Sequence, residues 1–205
     1  MNRLSRYAVW VGVLVCAVMV MGAVAGAATL QEIKDRGVLK AAVMGYESAP
    51  FVYTKDGATV GLDIDLLDFI AEKIGVKLEL VKLPWDGGIT LCWDPAYPWD
   101  KFDLAASSIT IKESRAEVCD FSEWYVTTGQ MIMVRADSGY KSAADLKGKR
   151  ILCTAGSTGE EAARANFPAE NVAPMPGFED VVAAMESQTA DAAVSDGPQV
   201  LVYAK

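Results

Sequence analysis

The sequence of 205 residues contains no histidine. A Ser-His-Asp or Cys-His catalytic system is therefore excluded, and so is a zinc site that requires imidazole ligands. The chain also lacks a basic run. Its 27 acidic residues outnumber 19 basic ones, for a formal net charge of −8, which makes nucleic acid a poor candidate partner. A mainly disordered chain is excluded as well, because 52% of the residues are hydrophobic.

Only one long apolar run is present in the sequence, and it lies at the N-terminus. Arg3 and Arg6 precede an uncharged stretch from Tyr7 to about Ala28 that ends in small residues, which is typical of a secretory signal peptide. We expect residues 1–27 to be cleaved and the mature chain to be soluble and periplasmic. An uncleaved membrane anchor is the alternative, since the stretch is nearly long enough to span a bilayer.

Few cysteines follow the apolar run: Cys92, Cys119 and Cys153. Their spacing matches no metal-binding pattern, and we expect neither a metal site nor a cofactor. An odd number of cysteines in an exported chain permits at most one internal disulfide, for which Cys92 and Cys119 are candidates. Cys153 lies in an apolar run and is expected to be a buried free thiol.

Strand and helix patterns alternate along the rest of the chain. Helical periodicity with glycine stops predicts helices over residues 30–36, 63–74, 158–166 and 178–187. Short apolar runs predict strands over residues 38–44, 76–81, 102–107, 130–134, 150–153 and 192–195. Lys55-Asp56-Gly57 predicts a turn between two short strands, and Ser157 with Glu160 is spaced as a capping box.

This alternation predicts an α/β protein with largely parallel sheets. We place the boundary between two lobes near residues 125–130, where Thr127-Thr128-Gly129 interrupts the pattern. The lobes are then residues 28–126 and 127–205.

Polar side chains follow several of the predicted strands. Arg115 comes soon after one strand, the glycine-rich stretch 154–159 links another strand to a helix, and Asp196 ends the last strand. Ligands of open α/β sheets bind beyond the carboxyl ends of strands. A guanidinium and a helix N-terminus suit a carboxylate, and Asp196 suits an ammonium group. Taken singly, Arg115 also fits an ordinary exposed arginine, the stretch 154–159 a helix cap and Asp196 a turn residue. Taken together, they suit a site that binds a zwitterion.

Several longer motifs occur in a fixed order along residues 30–205. They are Ala49-Pro50-Phe51, Gly61-Leu62-Asp63-Ile64-Asp65-Leu66, Ser108-Ile109-Thr110-Ile111 with Arg115, Asp120-Phe121-Ser122, Asp145-Leu146-Lys147-Gly148-Lys149, Gly156-Ser157-Thr158-Gly159-Glu160 and Asp191-Ala192-Ala193-Val194-Ser195-Asp196. In this order they resemble the family 3 extracellular solute-binding proteins, the amino-acid receptors of ABC importers.

The resemblance implies two α/β lobes that close on a ligand like a flytrap. Arg115 and Thr110, helped by the backbone at Thr158, would hold the α-carboxylate of an amino acid. Ser108 and Asp196 would hold its α-ammonium group.

The resemblance also implies that Trp85 stacks against the ligand. Gly45 stands where many members that bind basic amino acids carry an acid, and Glu47 is the nearby candidate for that role. The stretch between Trp85 and Asp103 is longer than in the family and is rich in aromatic residues and proline. A loop over the cleft and a segment packed on the first lobe are both open interpretations, of which we favour packing.

Family members normally continue beyond the point that matches Lys205, with a segment that returns to the first lobe. We expect the chain as given to lack this C-terminal return segment. An open sheet edge and uncovered apolar surface would then make it less stable than a complete member.

The predicted function is binding without catalysis. A monomeric exported protein would capture a polar amino acid and deliver it to an ABC transporter permease in the membrane. A periplasmic cyclohexadienyl dehydratase, which acts on prephenate or arogenate, is the enzymatic alternative, with Glu47 as its acid. A ligand-sensing module is the third interpretation, and it requires an uncleaved N-terminal segment.

Overall fold

Within residues 27–204, which the computed structural model describes, helices alternate with strands. The α-helices are α1 (Leu30–Arg36), α2 (Leu62–Ile74), α3 (Glu113–Ala116), α4 (Thr158–Asn166), α5 (Phe178–Glu186) and α6 (Gly197–Tyr203). The strands are β1 (Val38–Met44), β2 (Tyr53–Lys55), β3 (Ala58–Val60), β4 (Lys77–Leu83), β5 (Leu104–Ala105), β6 (Gln130–Val134), β7 (Ile151–Thr154), β8 (Val172–Met175) and β9 (Ala192–Asp196). Short 3₁₀ helices lie at Ile89–Trp93, Ala143–Leu146 and Ala169–Asn171.

The predicted signal peptide lies outside the described residues, apart from its last residue. In the described part of the chain, every helix is too short or too polar to cross a membrane.

The first sheet is parallel and has the strand order β4-β1-β5. Its central strand, β1, is covered on both faces. Ala41 and Val43 pack with Leu67 of α2 on one face, and Met44 packs with Phe102 on the other. Coverage of both faces explains why β1 is a continuous apolar run rather than an alternating one.

The second sheet has the order β6-β9-β7-β8, in which β6 is antiparallel to β9 and the other pairs are parallel. Ala163 of α4 packs against one face, and Val181 of α5 and Val200 of α6 pack against the other. The predicted α/β fold with two lobes is confirmed. The boundary that we placed at residues 126 and 127 falls in the connection between α3 and β6.

Local signals set most of the helix ends. Gly37 and Gly75 end α1 and α2 in the left-handed conformation, with φ of 73° and 84°, as expected for glycine caps. The predicted capping box of α4 is only half right. The Ser157 hydroxyl accepts from the Glu160 N–H at 3.1 Å, but the Glu160 carboxylate accepts from the Gly156 N–H at 2.8 Å instead.

Two strands differ from the sequence prediction. The strand predicted over residues 102–107 is a ladder only at Leu104–Ala105, although Asp103 and Ala106 also donate backbone hydrogen bonds to the β1 carbonyls of Lys40 and Ala42. Strand β8 was not predicted because Pro174 interrupts its apolar run. Proline is tolerated there since β8 lies at the edge of its sheet.

The thiols of Cys92, Cys119 and Cys153 are free in the structure. Cys153 is fully buried, as predicted. Burial raises its pKa to about 11, so the group is an unreactive thiol at neutral pH.

We expect Leu67→Ala to lower the free energy of unfolding by about 2–5 kcal/mol, because the side chain is fully buried and truncation leaves a cavity. Phe69→Ala on the same helix is the matched control. Its ring is 55% exposed, and its loss should cost less than about 1 kcal/mol. Urea unfolding of both variants measures the difference, and equal costs would contradict the packing of α2.

Candidate ligand-binding site

The ends of strands from both sheets line a cleft between the two lobes. Its walls include the carboxyl ends of β1, β7 and β9. Six of the seven residues singled out in the sequence line it: Trp85, Ser108, Thr110, Arg115, Thr158 and Asp196. The carboxyl ends of parallel strands meet at one edge of a sheet, which is why residues far apart in the chain converge here.

Arg115 extends from α3 into the cleft and is only 5% exposed. Its Nη1 donates to the Thr110 carbonyl oxygen at 3.1 Å, and its Nη2 donates to the Gly156 carbonyl oxygen of the other lobe at 3.4 Å. Burial lowers the pKa of the guanidinium, but arginine keeps its charge at any physiological pH. The guanidinium of Arg115 therefore gives the site a permanent positive charge.

An aromatic ring supports this cation. The guanidinium carbon of Arg115 lies 3.9 Å from the centre of the Trp93 ring, a cation–π contact. Trp93 belongs to the long aromatic stretch, whose other rings, Tyr97, Trp99 and Phe102, contact one another at centroid distances of 5.3 to 6.1 Å. The stretch packs on the first lobe, as we favoured. Through the Trp93 ring it also holds the guanidinium of Arg115 in position.

A carboxylate faces the cleft from the second lobe. Asp196 ends β9, and its Oδ1 accepts from Gln130 Nε2 at 2.6 Å. Burial raises the pKa of Asp196, while the bond from Gln130 and the charge of Arg115 oppose that rise. Gln130 Nε2 also donates to Thr158 Oγ1 at 3.1 Å, so one amide links two of the predicted ligand-binding residues.

The other atom of that amide, Gln130 Oε1, is buried and has no hydrogen-bond partner. Buried acceptors without a donor are uncommon in folded proteins. Since Gln130 lines the cleft beside Asp196, this oxygen suits an N–H donor of a ligand.

Ser108 occupies a strained backbone position, with φ of 49°. Its N–H donates to Asp63 Oδ2 at 2.8 Å, and the Tyr125 hydroxyl donates to Asp63 Oδ1 at the same distance. Asp63 is fully buried, and burial raises its pKa. Asp63 therefore holds the Ser108 loop in place.

Several polar contacts join the lobes across the cleft. Trp85 Nε1 donates to the Ala155 carbonyl oxygen at 2.8 Å, and the Thr110 and Thr158 hydroxyls lie 3.3 Å apart. A salt bridge between Lys112 and Glu161 spans the same opening. The structure is thus a closed arrangement of the two lobes.

Glu47 does not line the cleft. Its carboxylate accepts from the Thr54 N–H at 3.0 and 3.1 Å, which ties it to β2. The structure thus does not bring Glu47 to the cleft with the other six residues, and its role in ligand binding stays a prediction. At Gly45 a Cβ would lie 3.3 Å from the Leu83 carbonyl oxygen, so β4 leaves little room for a side chain there.

Five further cleft residues were missed in the sequence: Met44, Gln130, Phe178, Ser195 and Gln199. Gln130 begins an antiparallel strand, whose amino end pairs with Asp196 at the carboxyl end of β9. A search for polar residues after strands overlooks this position. A signal was available, since Gln130 is a polar residue at the head of an apolar strand.

Residues 41–192 match the bacterial extracellular solute-binding proteins, family 3. The chain belongs to this family. The resemblance noted in the sequence is thereby confirmed.

The chain spans about half the length of the curated relatives it matches. It is 35% identical over 112 residues to the arginine-binding extracellular protein ArtP of Bacillus subtilis (strain 168), which covers 55% of this chain and 42% of ArtP. It is 31% identical over 187 residues to the glutamine-binding protein of Geobacillus stearothermophilus, covering 88% of this chain and 69% of that protein.

A solved structure supports the fold. The crystal structure of the ancestral amino acid-binding protein AncCDT-1, a precursor of cyclohexadienyl dehydratase, superposes with a TM-score of 0.78 at 34% identity. The match covers 86% of this chain and 78% of that one.

We expect Asp63→Ala to lower the free energy of unfolding by about 1–3 kcal/mol, because the Ser108 N–H and the Tyr125 hydroxyl lose the buried carboxylate that accepts from both. Asp65→Ala is the matched control, since Asp65 is also acidic and in the first turn of α2 but is exposed. Its loss should cost only about 0.3–1 kcal/mol. Chemical denaturation compares the two, and an effect of Asp63→Ala no larger than that of the control would refute its anchoring role.

Proposed function

We propose that this protein binds a free α-amino acid in the cleft, without catalysis, and delivers it to an ABC importer. The observation that carries the proposal is the pair of opposite charges in one cleft. Arg115 enters from the first lobe and Asp196 from the second, and both line the same space. An amino acid is a zwitterion, and its two charged groups match this pair.

The α-carboxylate of the ligand binds Arg115, Thr110 and Thr158. Arginine carries five N–H donors, and Arg115 uses two of them on the carbonyl oxygens of Thr110 and Gly156. Donors therefore remain for a carboxylate. The first N–H groups of α4, at Thr158, have no partner within the helix, and they add the partial positive charge of a helix N-terminus.

The α-ammonium group binds Asp196, together with Ser108. The unpartnered Gln130 Oε1 beside Asp196 offers a further acceptor. The indole of Trp85 is 6% exposed and closes the cleft on one side, where it contacts the ligand.

Export and transport follow from the same proposal. The family is one of extracellular proteins, which supports a periplasmic location reached through the N-terminal signal peptide. The closed form of a monomer, with its ligand between the lobes, is what a membrane permease would recognise.

The enzymatic alternative has less support. A dehydratase needs an acid at the leaving hydroxyl, and Glu47, the candidate in the sequence, is bonded to the Thr54 N–H outside the cleft. Incubation with prephenate should give no phenylpyruvate. Turnover above the uncatalysed rate would replace our proposal with the enzymatic one.

We expect Arg115→Ala to weaken amino-acid binding by about 2–5 kcal/mol, because the ligand carboxylate would lose its charged partner in a closed cleft. Isothermal titration against a panel of amino acids measures the change. Arg135→Ala is the control, since Arg135 pairs with Asp137 and does not line the cleft. A change below about 0.5 kcal/mol in Arg115→Ala, with a normal melting transition, would contradict the assignment.

We expect binding to weaken as the pH falls through the raised pKa of Asp196. Ionised Asp196 pairs with the ligand ammonium, so protons and ligand compete, and affinity falls up to about ten-fold per pH unit below that pKa. Titrations between pH 8 and pH 4 test this. Asp196→Asn should bind weakly throughout and lose this dependence; the same profile in both proteins would exclude Asp196.

In the ligand-free protein the stability effect of Asp196 has the opposite direction. A raised pKa in the folded state means that this carboxyl favours the fold below the ordinary pKa of 3.8. That contribution is lost as the pH rises through the raised value. Melting temperatures of the free protein and of Asp196→Asn, compared over the same pH range, separate the two effects.

A further inference from the structure

The described residues that line the cleft include one positive and one negative side chain. Among its lining residues in the described chain, Arg115 and Asp196 are the charged side chains. The proposed function assigns both of them to the α-groups of the ligand. No lining charge is then left over for the ligand side chain, which must meet the uncharged remainder of the wall.

Apart from the residues assigned to the α-groups and from Gln130, Thr154, Ser157 and Gly159, that remainder is Met44, Trp85, Phe178, Ser195 and Gln199, called here the side-chain wall. Three of these residues are apolar or aromatic, and all five are buried. The two polar residues decide which ligand side chains this wall can accept.

The polar groups of the side-chain wall are already paired. Gln199 Oε1 accepts from the Ser195 hydroxyl at 2.8 Å, and Gln199 Nε2 donates to Ser48 Oγ of the first lobe at 2.7 Å. Relative exposures of 7% for Ser195, 5% for Gln199 and 0% for Ser48 place this network away from water. The amide is neutral and both its ends are engaged.

Three acids that follow cleft-lining residues closely in the chain are engaged elsewhere. Glu47 accepts from the Thr54 N–H, Glu160 binds the Gly156 N–H and Arg164, and Glu161 forms the salt bridge with Lys112. None of these three carboxylates lines the cleft. A cationic ligand side chain would therefore be buried without a counter-charge.

From this arrangement we infer that the cleft selects amino acids with an uncharged side chain, and that the neutral amide of Gln199 sets this selectivity. The inference rests on the proposed function. A buried charge without a partner is strongly unfavourable, whereas an uncharged side chain loses little on entering a wall whose polar groups are satisfied. Arginine, lysine and glutamate are disfavoured for the same reason.

Matched ligand pairs test the selectivity of the unmodified protein by isothermal titration. The pairs are L-citrulline against L-arginine, L-norleucine against L-lysine, and L-glutamine against L-glutamate, which differ mainly in side-chain charge. We expect the neutral member of a pair to bind at least ten-fold more tightly. Equal or tighter binding of the charged members would overturn the inference and leave the proposed function intact.

Failure of the proposed function gives a different result. Absence of binding across all twenty amino acids and the two neutral analogues, L-citrulline and L-norleucine, from a protein with a clear melting transition, would remove both the proposed function and this inference.

A variant tests the role of Gln199 itself. Gln199→Glu keeps the volume of the side chain and adds a negative charge, while the Ser48 and Ser195 hydroxyls can both donate to the new carboxylate. We expect the affinity ratio of L-arginine to L-citrulline to rise at least ten-fold.

Gln188→Glu is the control, because it makes the same change at an exposed position of the second lobe; its ratio should match that of the unmodified protein. If Gln199→Glu melts normally and its ratio does not change, Gln199 does not set the selectivity. If it fails to melt cooperatively, the shorter Gln199→Asp, in which the new carboxylate can still accept from Ser195, provides the same comparison, and an unchanged ratio there would also overturn the role.

Discussion

Two opposite charges, the buried Arg115 and the partly buried Asp196, lie at the boundary between the lobes, and much of the surrounding structure serves to keep them there. Desolvation of an ion costs more than a distant opposite charge returns. Each group is therefore supported locally. Trp93 stacks on the guanidinium, and Gln130 donates to the carboxylate. The aromatic stretch of the first lobe and the antiparallel strand of the second supply these two supports.

Several polar contacts join the lobes. The bonds of Trp85 to Ala155 and of Gln199 to Ser48 replace hydrogen bonds to water, so each adds only about 0.5–1.5 kcal/mol of net stability. A ligand that bridges Arg115 and Asp196 can then shift the equilibrium toward closure by its own binding energy.

Much of the fold was predictable because it depends on local signals. Helical periodicity and the glycine caps at Gly37 and Gly75 set the first two helices to within a residue. The placement of Arg115, the stretch 154–159 and Asp196 follows from one topological rule, that ligands bind at the carboxyl ends of parallel strands. Trp85, Ser108 and Thr110 were implied by the family resemblance. Strand β8 was not predicted, because a proline such as Pro174 is tolerated only in a strand at the edge of a sheet. Whether a strand lies at the edge depends on the whole sheet and not on the segment itself.

The sequence by itself determined the α/β class, the order of elements and the presence of an arginine and an aspartate at strand ends. Only the tertiary structure decided which neighbours those charges have. Gln199 and Ser48 are 151 residues apart in the chain, Gln130 and Asp196 are 66 apart, and Glu47 is turned toward β2 rather than the cleft. Such contacts depend on how the two sheets are placed relative to each other. No local pattern of residue types encodes which residues far apart in the chain become neighbours.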